Sequence, residues 1–116
     1  MKKKESIYYK IIEGETKGIN FKEKFGTHSS WKWYNDPRQF FISLARYKFA
    51  AKILSGKKKV LEIGCSDGFN SRLVKQEVRR LDICDIDHDL LDEANKINKK
   101  KWFINIFYHD FLKKKM

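Results

Sequence analysis

The segment VLEIGCSDGF, residues 60–69, joins a short apolar run to a turn that contains two glycines. Residues 60–63 predict a buried strand, because the run is short, rich in branched apolar residues and ends at a glycine. Gly64 allows the chain to leave the strand sharply, and Gly68 allows backbone to approach a ligand, since neither residue has a Cβ atom. We therefore expect a strand followed by a turn suited to ligand binding.

A helix is predicted directly before this strand. Asp36-Pro37 marks its start, because aspartate can cap a helix and proline suits the first helical position. Ser55-Gly56 ends the apolar periodicity, which gives a helix of about 18 residues. The apolar positions at helical spacing are Phe40, Phe41, Leu44, Tyr47, Ala51 and Leu54.

The segment after the turn alternates between helix and strand patterns. Residues 69–78 predict a helix, residues 80–85 a second strand and residues 102–108 a third strand. Between the last two strands, Asp87 predicts the cap of a helix whose basic end is residues 99–101. This alternation implies right-handed crossovers. The predicted fold class is α/β, a Rossmann-like parallel sheet of three strands in the order 3-2-1, flanked by helices.

Length and composition indicate one small folded domain. The chain has 116 residues, 41% of them hydrophobic, which is too apolar for a disordered basic tail. Residues 1–35 predict a polar and aromatic arm, and residues 36–116 the sheet domain with its preceding helix. We find no membrane-spanning apolar run, no signal peptide and only two cysteines. We therefore expect a cytoplasmic protein without a membrane partner.

The formal net charge of +11 arises from 26 basic residues against 15 acidic ones, and most of the basic residues are lysines. Nucleic-acid-binding proteins usually mix arginine with lysine, because arginine contacts phosphates and base edges through paired hydrogen bonds. The lysine runs are therefore interpreted chiefly as solvated surface. An electrostatic footprint for nucleic acid stays open as the second interpretation.

Acidic residues follow the predicted strands at the sheet edge where parallel α/β proteins bind ligands. Asp85 ends the second strand 17 residues after Gly68, a distance that suits hydrogen bonds from ribose hydroxyls. Asp110 follows the third strand, where a carboxylate could accept from an exocyclic amine. A dinucleotide fingerprint fits poorly, because Ser66 and Phe69 stand where it requires glycine.

The pattern E-x-G-x-x-x-G at residues 62–68 resembles the first motif of class I S-adenosylmethionine-dependent methyltransferases. VLEIGCSDGF, CDIDHDLLDEA and NIFYHDF follow that family's order of motifs, and the upstream WKWYNDPRQFFISLARYKFAAKIL is similar to a group of bacterial methyltransferases. The resemblance covers residues 27–111. Ser66 in place of a glycine and His88 in place of a proline depart from the family pattern.

The resemblance implies an enzyme that uses S-adenosyl-L-methionine as its cofactor. Glu62 and Gly64 would shape the pocket for the methionine part, Asp85 would hold the ribose hydroxyls, and Ile86 and Asp110 would contact adenine. The full set of implied cofactor-binding residues is Glu62, Gly64, Cys65, Ser66, Gly68, Asp85, Ile86 and Asp110.

Simpler interpretations of these residues stay open. The glycines could serve only the turn, Asp85 could cap a helix, and Asp110 could be plain surface. Cys65 and Cys84 are better explained as small buried residues than as ligands or nucleophiles. No catalytic group and no metal site is recognisable, and the methyl acceptor, a small molecule or a glycan, stays unassigned.

Complete members of that family have more strands than the three predicted here. We therefore expect a truncated or partial chain that self-associates or is completed by another chain. Three other functions stay open, namely a nucleotide-dependent oxidoreductase, a non-enzymatic cofactor-binding remnant or subunit, and a basic nucleic-acid-binding protein.

Overall fold

A computed structural model describes residues 6, 7, 10, 11, 25–98 and 102–113 of the chain. Most of the predicted arm and the predicted basic helix end at residues 99–101 lie outside these residues. In chain order the elements are α1 (Thr27–Asn35), α2 (Pro37–Leu54), β1 (Lys59–Ile63), α3 (Ser71–Lys75), β2 (Arg80–Asp85), α4 (His88–Asn98) and β3 (Ile104–Tyr108).

The three strands form one parallel sheet in which β2 lies between β1 and β3. Val60 pairs with Leu81, and Leu81 pairs in turn with Ile104. The predicted α/β class, strand order and parallel pairing are therefore confirmed. Strand β2 has its predicted bounds, whereas β3 begins two residues later than the pattern indicated.

The helices α2, α3 and α4 pack on one face of the sheet. Leu81 and Ile83 of the central strand are fully buried there, together with Ala51 of α2, Val74 of α3 and Leu91 of α4. Leu61 and Ile63 belong to the alternate positions of β1, and they are 42% and 60% exposed. In the described part of the chain, the fold is thus one layer of helices on a sheet with an open second face.

Helix α2 has the predicted length of 18 residues, but two details of the prediction are wrong. The side chain of Asp36 makes no capping hydrogen bond, although Asp36 occupies the capping position and Pro37 begins the helix. Phe40 is buried whereas Phe41 is exposed, because consecutive residues point about 100° apart on a helix and only one can face the core. Gly56 ends the helix with a φ of 81°, as predicted.

The two helices that follow the turn differ in how well their observed bounds match those predicted from the sequence. Helix α3 has only five residues, because tighter turns flank it: the Leu73 N–H donates to Asn70 and the Glu77 N–H to Val74. Helix α4 begins as predicted, with the Asp87 carboxylate accepting the N–H groups of two first-turn residues. Among the described residues, none of the helices has the length and apolar character needed to cross a bilayer.

Candidate functional site

The turn between β1 and α3 lies at the carboxyl ends of β1 and β2. Gly64, Ser66 and Gly68 all have positive φ angles, of 80°, 56° and 73°. The N–H groups of Gly64 and Cys65 both donate to the Cys84 carbonyl, so the β1–β2 pairing extends into the turn. This anchoring aligns the start of the turn with the end of β2.

The two glycines of the turn have different surroundings. A Cβ atom on Gly64 would meet nothing within 4 Å, so this side of the turn faces open space. A Cβ atom on Gly68 would lie 2.8 Å from the Cβ of Ala94 and 3.3 Å from the side-chain nitrogen of Asn98. Gly68 is therefore required by the close packing of the turn against α4, and the open surface lies at Gly64.

Asp85, at the end of β2, organises the backbone of the turn. Its Oδ2 atom accepts the Ser66 N–H at 2.8 Å, and its Oδ1 atom accepts the N–H groups of Ile86 at 2.7 Å and Asp87 at 3.1 Å. A half-buried carboxylate held by three N–H donors has a defined orientation. The remaining lone pair, on Oδ2, can accept a hydroxyl donor from a ligand.

Glu62 is the second carboxylate of the region, and hydroxyl groups hold both of its oxygens. The Tyr47 hydroxyl of α2 donates to Oε2, and the Ser71 hydroxyl of α3 donates to Oε1 at 2.5 Å. Burial raises the pKa of Glu62, although both hydroxyls act in the opposite direction. Burial and the neighbouring Glu62 also raise the pKa of Tyr47, so this phenol stays protonated. Glu62 thus joins two helices to β1 below the turn.

Helix α1, within the arm expected from the sequence, begins directly against the turn. The Ser29 N–H and hydroxyl both donate to the buried Asp67 carboxylate, at 2.8 and 3.1 Å. The Thr27 N–H donates to Glu93 of α4 at 3.0 Å, and Nδ1 of His28 lies 2.7 Å from the Ser66 hydroxyl oxygen.

Sequence reasoning missed this side of the site. Asp67 is part of the quoted turn, but no pattern links it to Ser29, 38 residues earlier. The sequence offered one signal, the glycine at position 26 just before the helix. In the structure a Cβ atom there would lie 2.6 Å from the Asp67 side chain, so only glycine fits this close contact.

The opposite side of the site lies at the ends of β2 and β3. The Ile86 side chain is exposed, and the rings of His88 and Tyr108 stack with centroids 4.1 Å apart. The backbone N–H of His109 donates to the backbone carbonyl of Asp85, which brings Asp110 to the same sheet edge. The Asp110 carboxylate also accepts the Leu112 N–H at 2.9 Å, so it stabilises the turn after β3.

The two cysteines are free and buried, and the backbone N–H of Cys65 donates to the Cys84 carbonyl. Burial and the nearby Glu62 raise the pKa of the Cys65 thiol to about 12, and burial also raises the pKa of Cys84. A thiol in this state is a poor nucleophile at neutral pH. Within the described residues, no group of three or more histidine, cysteine or acidic side chains could hold a metal ion.

Several solved structures are similar to this chain. The N-methyltransferase NodS from Bradyrhizobium japonicum WM9, in complex with S-adenosyl-L-homocysteine, matches over 79% of this chain and 46% of its own, at 20% identity and a TM-score of 0.56. A dimethyladenosine transferase from Plasmodium falciparum matches over 63% and 27%, at 24% identity and a TM-score of 0.53. TrmK of M. capricolum, also solved with S-adenosyl-homocysteine, matches over 60% and 34%, at 23% identity and a TM-score of 0.50.

The chain shares its fold with the matched part of each of these three structures. It spans about a quarter to a half of the length of these three structures. No protein-family model matches the sequence, and no curated protein matches it. The likeness to methyltransferases thus lies in the arrangement of strands, helices and turn, and not in close sequence identity.

Proposed function

We propose that this chain binds S-adenosyl-L-methionine as the cofactor-binding part of a methyltransferase. The observation that carries the proposal is the Asp85 carboxylate, which three N–H donors orient beside the open side of the turn at Gly64. Two of the similar structures were solved with S-adenosyl-homocysteine, which supports a ligand of this type.

The residues around the turn fit this cofactor. Asp85 has one lone pair left on Oδ2 for a ribose hydroxyl, and the exposed Ile86 offers an apolar contact for adenine. Asp110, at the next strand end, suits the adenine amino group. The open space at Gly64 suits the methionine part, with Glu62 shaping the floor beneath it through Tyr47 and Ser71.

The protein's own contribution would be binding and orientation. When bound, S-adenosyl-L-methionine supplies an electrophilic methyl group, and methyl transfer depends mainly on holding the acceptor in line with it. The acceptor is proposed to be a small molecule or a glycan. We further propose a cytoplasmic location, because free thiols such as Cys65 stay reduced there.

Calorimetry with S-adenosyl-homocysteine and, separately, NAD tests the proposal. The wild-type chain should bind S-adenosyl-homocysteine more tightly than NAD. Asp85→Ala should weaken that binding by about 1.5–3 kcal/mol, because a charge-assisted hydrogen bond to ribose is lost. Asp87→Ala is the matched control: Asp87 caps α4, and its removal should lower stability but leave the affinity of the folded chain unchanged.

Tighter binding of NAD would replace the proposal with an oxidoreductase. Equal affinity of the wild type and Asp85→Ala for S-adenosyl-homocysteine would make Asp85 a purely structural residue and remove the main support for the proposed site.

A further inference from the structure

Ser66 adopts a backbone conformation that costs serine free energy. Its φ of 56° lies in the left-handed region, and it is the only described residue other than glycine with a positive φ. A side chain there brings Cβ close to the following carbonyl oxygen, a clash that glycine avoids. Something in the surrounding structure must therefore hold Ser66 in this state.

His28 supplies a contact of this kind. Its Nδ1 atom lies 2.7 Å from the Ser66 hydroxyl oxygen, a hydrogen-bond distance whichever of the two groups donates. The start of α1 is itself fixed from both sides, by Asp67 bound to Ser29 and by Glu93 bound to Thr27. The start of α1 is therefore held in place, and it keeps the His28 imidazole next to the turn.

The conformation of Ser66 in turn affects Asp85. The Ser66 N–H donates to Oδ2 of Asp85 at 2.8 Å, and this is the only protein donor to that oxygen among the described residues. A rotation of the Ser66 peptide would remove the bond and release one side of the carboxylate. A continuous series of contacts therefore runs from His28 through Ser66 to Asp85.

We propose that His28 is a positioning residue for the cofactor: its contact with the Ser66 hydroxyl holds the turn in the left-handed conformation and so keeps Asp85 oriented toward the ribose. The inference rests on the proposed function, since Asp85 is the ribose-binding group there. With glycine at position 66 the turn needs no such support, and His28 becomes dispensable.

A double-mutant cycle on S-adenosyl-homocysteine affinity tests this inference by calorimetry. His28→Ala should weaken binding about fivefold, the loss expected for one hydrogen bond. In the Ser66→Gly background, the same substitution should change affinity by less than about twofold. His28→Asn, whose amide can reach the hydroxyl, should restore most of the affinity. Tyr34→Ala, an exposed position on the same helix, is the control and should have no effect.

The amide resonance of Ser66 provides a second measurement that needs no ligand. Loss of its bond to Asp85 should move this resonance upfield in His28→Ala but leave it in place in His28→Asn and Tyr34→Ala. Thermal unfolding of each variant checks that the chain is folded.

The outcomes separate the two proposals. A wild-type chain that fails to bind S-adenosyl-homocysteine overturns the proposed function together with this inference. If the wild type binds and His28→Ala has no effect, only the inference is overturned. The same holds if His28→Ala weakens binding equally in the wild-type and Ser66→Gly backgrounds, because His28 then acts on the ligand or the fold without Ser66.

Discussion

At the scale of single residues, Gly64 and Gly68 meet two different requirements, a positive φ angle at both positions and close packing at one of them. Both have positive φ angles, so both permit the turn. Only Gly68 lies against another element, where a Cβ atom would come within 2.8 Å of Ala94. The sequence predicted turn glycines at both positions, but the neighbour of each depends on how α4 packs.

Glu62 is a half-buried carboxylate whose charge is disfavoured by its surroundings. Burial is the largest influence on its pKa and raises it, while the hydroxyls of Ser71 and Tyr47 partly compensate. A glutamate whose folded-state pKa is raised binds protons more strongly in the folded chain. Its contribution to stability is therefore full below the unfolded pKa and is lost as pH rises through the folded pKa.

Replacing this carboxylate by an amide should remove that pH dependence. As pH rises from about 4, the wild type should lose stability relative to Glu62→Gln, because only the wild type must ionise a half-buried group. Urea unfolding of both chains across this range measures the difference. Glu77→Gln, an exposed position, is the control and should follow the wild type. A wild type that gains stability relative to Glu62→Gln would contradict the expected direction.

At the scale of elements, the two consecutive helices α1 and α2 have their N-termini stabilised differently. Asp36 stands at the capping position of α2 but makes no side-chain cap. Helix α1 has Gly26 at its own capping position, and Asp67 supplies the acceptor from the turn. A carboxylate at a helix N-terminus is favourable for both its hydrogen bonds and the helix dipole. Asp67 therefore attaches α1 to the site.

Removing Asp67 should detach the start of α1. Asp67→Ala should lower the free energy of unfolding by about 1–3 kcal/mol, because it leaves the Ser29 N–H and hydroxyl without their buried charged acceptor. Hydrogen exchange should accelerate over residues 27–35 and stay slow in β2. Asp36→Ala is the matched control, with an expected change within about 0.5 kcal/mol. Equal losses in both variants would contradict capping by Asp67.

At the scale of the whole molecule, the described sheet has helices on one face only. Parallel sheets are normally covered on both faces, and β1 has a single neighbouring strand here. The exposed Leu61 and Ile63 lie on this uncovered edge strand. An edge of this type favours association, whereas the net charge of +11 opposes it.

The isolated chain should therefore self-associate more strongly as salt screens its charge. Sedimentation equilibrium at low and high ionic strength measures this. Leu61→Lys should reduce the association constant, because it places a charge on the edge strand. Ile53→Lys is the control, since Ile53 is also an exposed apolar residue but lies on α2. A chain that stays monomeric at all salt concentrations would show that the open face and edge do not drive association.

The sequence by itself determined the order of elements and the sheet. The periodicity of residues 37–54 and the apolar strands are local properties, and right-handed crossovers then leave few ways to arrange three parallel strands. The same rule placed the 64–68 turn and Asp85 at one edge, because the carboxyl ends of parallel strands meet there. For Glu62 and Ile86, however, the sequence offered only roles taken from the resemblance.

Only the tertiary structure decided what surrounds those residues. The contacts of Asp67 with Ser29 and of His28 with Ser66 each join residues 38 positions apart, and the packing of Gly68 against α4 depends on the helix that follows β2. No short-range pattern encodes such pairs, because they form only when separate elements pack together. A capping aspartate is recognisable from its neighbours in sequence, as Asp87 was, only when it caps its own helix.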